Sequence, residues 1–110
     1  MDRELWRQRF AEHLRAYRRS EETVISYTRQ VGAFLDFLAE RGLKVPHELT
    51  REDVEAYQVS LQHWRKVDGE PLSLSSKNHK LSIVTAFVKF LRRSGVLLTD
   101  PTADIIRSKP

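Results

Sequence analysis

Residues 76–95 read SKNHKLSIVTAFVKFLRRSG, and this stretch decides the fold. Its apolar residues recur every three or four positions, which places them on one face of an α-helix. They are Leu81, Val84, Phe87, Val88 and Leu91. A polar stripe follows the opposite side and consists of Asn78, Ser82, Thr85, Lys89 and Arg92. The stretch therefore predicts an amphipathic helix that ends at Ser94-Gly95 and has one buried and one hydrogen-bonding, cationic face.

Three further helices are expected before this one. The first runs from about Asp2 to Tyr17, with an apolar stripe at Trp6, Phe10, Leu14 and Tyr17. The second begins after a Ser20 cap and stops at Gly42, and its stripe is Val24, Tyr27, Val31, Phe34, Leu35 and Leu38. The third opens with Thr50-Arg-Glu-Asp53, a variant capping box, and turns Val54, Tyr57, Leu61 and Trp64 inward.

The remaining segments are connectors and a short C-terminal element. Residues 67–72 are rich in turn formers and allow a short hairpin, and the serines at 73, 75 and 76 leave the cap of the fourth main helix undecided. Asp100-Pro101 predicts a short terminal helix through Ile106. We therefore expect an all-α bundle of four main helices plus a short C-terminal helix, in one domain over residues 1–107. Residues 108–110 would begin a linker.

The composition agrees with one helical domain and excludes several classes. The 110 residues include only four Gly and four Pro, and 40% of them are hydrophobic. The absence of Cys excludes a disulfide scaffold and a cysteine zinc site. No apolar run approaches the roughly 20 residues that span a bilayer, and residues 1–9 lack the apolar core of a signal peptide. We expect a cytoplasmic protein with no membrane partner.

Positive charge is concentrated at the two ends of the chain. Residues 1–20 hold six Lys and Arg against three Asp and Glu, and residues 71–110 hold seven against two. The segments between them have a slight acidic excess. If the two ends meet in space they form one basic face, which suits nucleic acid, although charged helices are also simply soluble.

No arrangement of residues typical of catalysis is present. The four histidines, at 13, 47, 63 and 79, have no metal-ligand spacing, and neither a Gly-rich phosphate loop nor a nucleophile elbow occurs. Tyr17, Tyr27, Tyr57, Trp6 and Trp64 are interpreted as core residues because they lie on or extend the apolar stripes. We expect no catalytic residue, metal, cofactor or small-molecule substrate, and no enzyme in this chain alone.

Four motifs occur in an order that resembles a known family. They are Ser20-x-x-Thr23-x-x-x-Tyr27 with Val31-x-x-Phe34-x-x-Phe37-Leu38-x-x-x-Gly42, then Thr50-x-x-Asp53-Val54-x-x-Tyr57, then Ser76-Lys-Asn78-His-Lys80 through Gly95, and finally Asp100-Pro101-Thr102-Ala103. Together they resemble the N-terminal core-binding, SAM-like domain of tyrosine recombinases, the Xer-type proteins and phage integrases. Two positions depart from the family pattern: Ser76 replaces the usual Thr, and Asp100 replaces the usual Asn.

The resemblance implies a function. Domains of this family grip one side of duplex DNA during DNA integration and recombination, and their second and fourth helices approach the major groove. A separate C-terminal domain carries the catalytic Arg, His and Tyr residues, and the full-length recombinases self-associate on DNA. By this resemblance the chain is the DNA-binding part of a DNA-breaking and rejoining enzyme.

On the two helices that the resemblance points to, the polar residues indicate which side chains would contact DNA. On the fourth helix they are Lys77, Asn78, Lys80, Ser82, Thr85 and Lys89, and on the second they are Thr23, Ser26, Arg29 and Gln30. Asn pairs well with adenine, and Lys or Arg with guanine, in the major groove. Arg18 and Arg19 precede the second helix, where they would reach phosphates.

Two other functions fit the same pattern. A helical protein–protein interaction module has the same amphipathic stripes. An unrelated helical DNA-binding regulator is a further alternative, but a helix-turn-helix needs a turn of three or four residues, and the connector at residues 67–72 is longer.

Overall fold

The computed structural model describes residues 2–103 and residue 105, and these residues form a bundle of α-helices. The helices are α1 (Arg3–Ala16), α2 (Glu21–Glu40), α3 (Arg51–His63) and α4 (Leu74–Arg93), and one turn of 3₁₀-helix (Pro46–Glu48) lies between α2 and α3. The only strand-like feature of the described residues is an isolated bridge between Arg65 and Pro71. The all-α class is confirmed. None of the described helices is both long and apolar enough to cross a membrane.

Each main helix begins at a side-chain cap. The Asp2 carboxylate accepts from the Leu5 amide at 3.0 Å, and the Ser20 hydroxyl accepts from the Thr23 amide at 3.2 Å. Of the three candidate serines before α4, Ser73 is the cap. These bonds satisfy amide groups that have no partner within the helix. The caps predicted at residues 2, 20 and 50 are confirmed.

Helices α2 and α4 form the centre of the bundle, because each packs against all three other helices. Their buried side chains include Val31, Phe34 and Leu35 from α2 and Val84, Phe87 and Val88 from α4. The predicted apolar stripe of α4 is buried throughout, but Ile83 and Phe90 are buried as well. A helix with neighbours on several sides buries a wider arc than one amphipathic stripe.

Two aromatic residues predicted in the core are exposed. Tyr17 is 60% exposed and Trp64 is 38% exposed. Each stands at the C-cap of its helix, and at Trp64 the backbone is already extended (φ −66°, ψ 132°). Beyond the last helical residue the spacing of three and four no longer decides where a side chain points. The core interpretation is confirmed for Tyr57, and Trp6 and Tyr27 are partly buried against the core.

The short C-terminal helix predicted after Asp100 is wrong for the residues described there. Residues 101–103 form a turn, with bonds from the Ala103 amide to the Asp100 carbonyl and from the Ile105 amide to the Thr102 carbonyl, each 3.2 Å. The Asp100 carboxylate accepts from the Thr102 amide at 2.8 Å, which satisfies the turn locally. Ile106, the predicted boundary at residue 107 and the predicted linker at residues 108–110 lie outside the described residues.

The capping box of α3 joins two helices and provides a stability test. The Asp53 carboxylate accepts from the amide and hydroxyl of Thr50, both at 3.0 Å, and from Nε of Arg41 at the end of α2, at 3.2 Å. We expect Thr50→Ala to lower the free energy of unfolding by about 1 kcal/mol. Asp53→Ala should lower it further, because Arg41 also loses its partner. Urea denaturation of both variants checks this order.

Glu52→Ala is the matched control for the capping box, because Glu52 is an exposed acid in the same first turn. Its substitution should cost only a few tenths of a kcal/mol through the helix dipole. Equal losses in Thr50→Ala and Glu52→Ala would show that the cap contributes nothing specific.

The Tyr57 hydroxyl predicts a stabilising substitution. The residue is 2% exposed, and its hydroxyl has no hydrogen-bond partner among the described residues. Its ring packs edge-on against Phe34 and Phe37, with centroids 4.9 and 5.3 Å away. Tyr57→Phe keeps these contacts and removes a buried polar atom, so we expect the free energy of unfolding to rise by about 1 kcal/mol. Thermal and urea unfolding measure the change.

The same hydroxyl predicts a pH dependence. Burial raises the pKa of Tyr57 to about 12, above its ordinary value of 10.0. As pH rises, the unfolded chain therefore loses this proton before the folded chain does. Through this group the free energy of unfolding does not vary with pH below pH 10, and it falls as pH rises from 10 to 12. Tyr57→Phe should lose less stability than the wild type over that interval. Parallel curves for Tyr57→Phe and the wild type would contradict the assignment.

Candidate nucleic-acid interface

A hydrogen bond joins α2 to the first half of α4. Nζ of Lys80 donates to Oε1 of Gln30 at 2.7 Å, across 50 positions of sequence. The rings of Tyr27 and His79 also approach edge-on, with centroids 6.2 Å apart. Two residues predicted on separate helices, Gln30 and Lys80, are thus neighbours. We use the name α2–α4 face for the predicted residues of the two helices: Thr23, Ser26, Arg29, Gln30, Lys77, Asn78, Lys80, Ser82, Thr85 and Lys89.

The Lys80 side chain contacts residues of two other helices. Its Nζ lies 4.5 Å from the centroid of the Trp64 ring, so one ammonium group links α4, α2 and the end of α3. Burial lowers the pKa of this ammonium from its ordinary value. Lys77 is also held, because its Nζ donates to Oε1 of Gln62 at 2.8 Å. An ammonium has three donors, so each lysine keeps capacity for a ligand.

The other polar residues of α4 differ in exposure. Ser82 and Lys89 are exposed, whereas Asn78 is only partly so. The Thr85 hydroxyl donates to the Leu81 carbonyl at 3.0 Å and is half-buried, which is common for Thr in a helix. The exposed end of the stripe is therefore cationic, and the half-buried part consists of neutral groups.

Among the residues predicted on α2 and in the connector before it, the neutral side chains are again half-buried and the arginines are exposed. Thr23 accepts a hydrogen bond from the Ser20 hydroxyl at 3.0 Å and so takes part in the helix start. Ser26 and Gln30 are half-buried, and Arg29 is exposed. Arg18 and Arg19 are exposed in the connector, where Arg18 has a left-handed backbone (φ 59°). Arg19 lies near Lys89, at the opposite end of α4 from Lys77.

Charge is strongly segregated between the helices. Helix α4 carries five cations, Lys77, Lys80, Lys89, Arg92 and Arg93, and no Asp or Glu. None of these cations forms an ion pair with a carboxylate of the described residues, whereas the arginines at 3, 7, 15, 41 and 51 all do. Acidic residues instead open α3, at Glu52 and Asp53. The cations of α4 are therefore not held in ion pairs by the described acidic residues.

The structure adds two side chains that the sequence prediction left out. Nη1 of Arg93 donates to the Tyr17 hydroxyl at 2.8 Å, and its guanidinium carbon lies 5.7 Å from the centre of that ring. Both residues line a cleft with Arg19, Tyr27 and Lys89. The sequence offered a weak signal, since Tyr17 directly precedes Arg18-Arg19, but the 76 positions between Tyr17 and Arg93 hide their contact.

His13 lies on the wall of the same cleft as a neutral aromatic group. Its ring is 4.9 Å from the rings of both Tyr17 and Phe90. Burial, and secondarily the nearby Arg93 guanidinium, lower the pKa of His13 from its ordinary value of 6.5. The positive charge of the cleft near neutral pH therefore comes from its arginines and lysine.

The described residues contain no group of three or more His, Asp or Glu side chains arranged to hold a metal ion. What the α2–α4 face offers chemically is hydrogen-bond donors, cations and a few small hydroxyl groups. Such a surface binds anionic and polar ligands by contact.

Comparison with known proteins identifies the kind of domain. The family model described as the N-terminal SAM-like domain of phage integrase matches residues 6–95. The chain is 31% identical over 86 residues to tyrosine recombinase XerC 2 of Ralstonia nicotianae and 32% identical over 87 residues to tyrosine recombinase XerD of Corynebacterium glutamicum. Each alignment covers 78% of this chain. No solved structure matches the chain.

These relatives are much longer than the matched region. The alignments cover 25% of the Ralstonia protein and 28% of the Corynebacterium protein, so the chain spans about a quarter of the curated relatives that it matches. The family model covers most of this chain, including all of α2, α3 and α4. The chain therefore belongs to the family of phage integrase N-terminal SAM-like domains, the N-terminal domain of tyrosine recombinases.

Proposed function

We propose that this domain holds duplex DNA through its α2–α4 face while a tyrosine recombinase cuts and rejoins the strands. The observation that carries the proposal is the charge of α4: five cations, no acid, and no ion pair to any described carboxylate. Such a helix attracts phosphates over a distance of about a Debye length. Family membership disfavours the alternative of an unrelated regulator.

The first half of α4 would supply the contacts to bases. A major groove about 12 Å wide admits one helix, and the side chains presented to the base edges read the sequence. Asn78 is suited to adenine, and the donors of Lys77 and Lys80 to the acceptors of guanine. Because Lys80 occupies one acceptor site of Gln30, the Gln30 amide nitrogen is left as a donor beside it.

The exposed cations at the edges of the α2–α4 face would supply the contacts to phosphates. Arg29 and Lys89 stand on α2 and α4, and Arg18 and Arg19 lie in the connector before α2. Contacts of this kind position a protein on the duplex and make its affinity dependent on salt. The half-buried hydroxyls of Ser26 and Thr85 would complete the surface between the two sets.

The chemistry of strand exchange belongs, in this proposal, to another part of a longer protein. The matched relatives carry the name tyrosine recombinase, and the chain spans about a quarter of their length. The domain would act as one half of a clamp in the cytoplasm, and the full-length protein would self-associate on DNA. No cofactor or metal is required for this binding role.

The phosphate-contacting role of the α2–α4 face is tested with the double substitution Arg29→Gln and Lys89→Gln. Both side chains are exposed and have no ion pair with a described carboxylate, so their removal should leave stability nearly unchanged. We expect weaker duplex binding and a log–log salt slope reduced by about 1.8, which corresponds to two phosphate contacts. Fluorescence anisotropy of a labelled duplex at several salt concentrations measures both quantities.

The matched control removes the same charge elsewhere, with Lys44→Gln in the connector before α3 and Arg9→Gln on α1, both exposed and without an ion pair to a described carboxylate. This control should keep the wild-type slope. If both double variants lose the same slope, binding depends on net charge alone and the α2–α4 face is not the interface. If the wild-type domain shows no salt-dependent duplex binding, and DNA leaves its amide NMR resonances unmoved, a protein-interaction module is the better description.

A further inference from the structure

The cleft between the C-terminal ends of α1 and α4 has the composition of an anion site. Its volume is about 350 Å³, and its walls include three cations, Arg19, Lys89 and Arg93, but no Asp or Glu. Aromatic and apolar side chains form the remainder of the walls: Phe10, His13, Leu14, Tyr17, Tyr27, Ala86 and Phe90. The positive charge therefore borders a concave, largely apolar space rather than a flat, solvated surface.

The geometry orients Arg93 at this cleft. Its guanidinium stacks 5.7 Å from the centre of the Tyr17 ring and donates one N–H to the Tyr17 hydroxyl at 2.8 Å. The Tyr17 ring in turn rests 4.9 Å from His13, which itself packs on Phe90. Arg93 has no ion pair with a described carboxylate, and a guanidinium has five N–H donors in a fork that matches phosphate oxygens.

The position of the cleft along α4 decides which part of a nucleic acid it would meet. Sixteen residues separate Lys77 from Arg93, which is roughly 24 Å along a helix. For a helix that crosses the major groove, which is only about 12 Å wide, the two ends cannot both face base edges. With the Lys77 end in the groove, the Arg93 end reaches the phosphate backbone that borders it.

We propose that the cleft holds a backbone phosphodiester of the bound duplex, with Arg93 as the contacting residue and Tyr17 as the residue that positions it. This inference rests on the proposed function and extends the DNA contact from α2 and α4 to the end of α1. Arg19 and Lys89 add charge at the rim of the same cleft. Tyr17, which the spacing of α1 predicts in the core, is instead 60% exposed and accepts a hydrogen bond from Arg93.

The test compares Arg93→Gln with Arg9→Gln. Arg9 is a matched control, because it also stacks on an aromatic ring of α1, 4.9 Å from the centre of Trp6, but borders a different cavity that includes Glu12. Arg93→Gln should reduce the log–log salt slope for a labelled duplex by about 0.9, the loss of one phosphate contact. Arg93→Lys should keep the slope because it keeps the charge, and Arg9→Gln should match the wild type.

Tyr17→Phe tests the positioning role separately. It keeps the ring and the stacked cation but removes the acceptor of the Arg93 hydrogen bond. We expect weaker binding with an unchanged salt slope, since no charge is lost. The His13 and Tyr17 ring resonances should shift when duplex is added to the wild-type domain. Thermal unfolding of every variant, with Arg93→Lys as the conservative form, separates lost binding from lost folding.

The outcomes distinguish this inference from the function on which it rests. If Arg93→Gln keeps the wild-type slope while Arg29→Gln alone, at a residue outside the cleft, lowers it, the domain binds DNA and the cleft does not. Unmoved His13 and Tyr17 resonances in a complex that shifts the α2–α4 face lead to the same conclusion. If the wild-type domain does not bind duplex at all, the proposed function itself fails.

Discussion

The packing of α2 against α4 is the constraint on which the rest of this structure depends. The two helices bury Val31, Phe34, Val84 and Val88 on their inner sides, and each also contacts the other two helices of the bundle. Because their inner sides are fixed by burial, the half-buried polar residues Gln30 and Lys80 are brought side by side. The Lys80–Gln30 hydrogen bond of 2.7 Å lies at this junction, and the Trp64 ring covers the same ammonium. The core and the candidate interface are two sides of one helix pair.

Some charged side chains of the domain are held in ion pairs or helix caps, and the cations of α4 are not held by a described carboxylate. The acids at the start of α3 serve the helix itself: Asp53 completes the capping box and binds Arg41 of the preceding helix end. Arginines of α1 pair with acids of their own helix or of α2, as Arg3 does with Asp36 at 2.9 Å. The exposed ion pairs add little to stability, but they cancel local charge. Helix α4 has no acid to cancel its cations, and this difference, rather than the net charge of +4, marks the surface suited to phosphates.

The helical pattern predicted most of the fold because burial follows the period of the helix. Within the helices the predicted stripes are buried or, at Trp6 and Tyr27, partly buried, and the caps at residues 2, 20 and 50 are where the sequence indicates. The predictions that were wrong lie at or beyond helix ends. Tyr17 and Trp64 occupy C-caps, and after Asp100 a local side-chain bond closes a turn instead of starting a helix. At such positions the backbone angles, and not the spacing, decide where a side chain points.

The sequence by itself determined the number of main helices, the caps of the first three, the inner face of each helix and the family to which the domain is similar, because these depend on local motifs and on spacings of three to four residues. Only the tertiary structure decided which polar residues are neighbours. Lys80 and Gln30 are 50 positions apart, and Tyr17 and Arg93 are 76 apart, so no local period relates them. These two contacts follow from the angles at which the helices cross. The crossing angles are set by the shapes of the buried side chains between the helices.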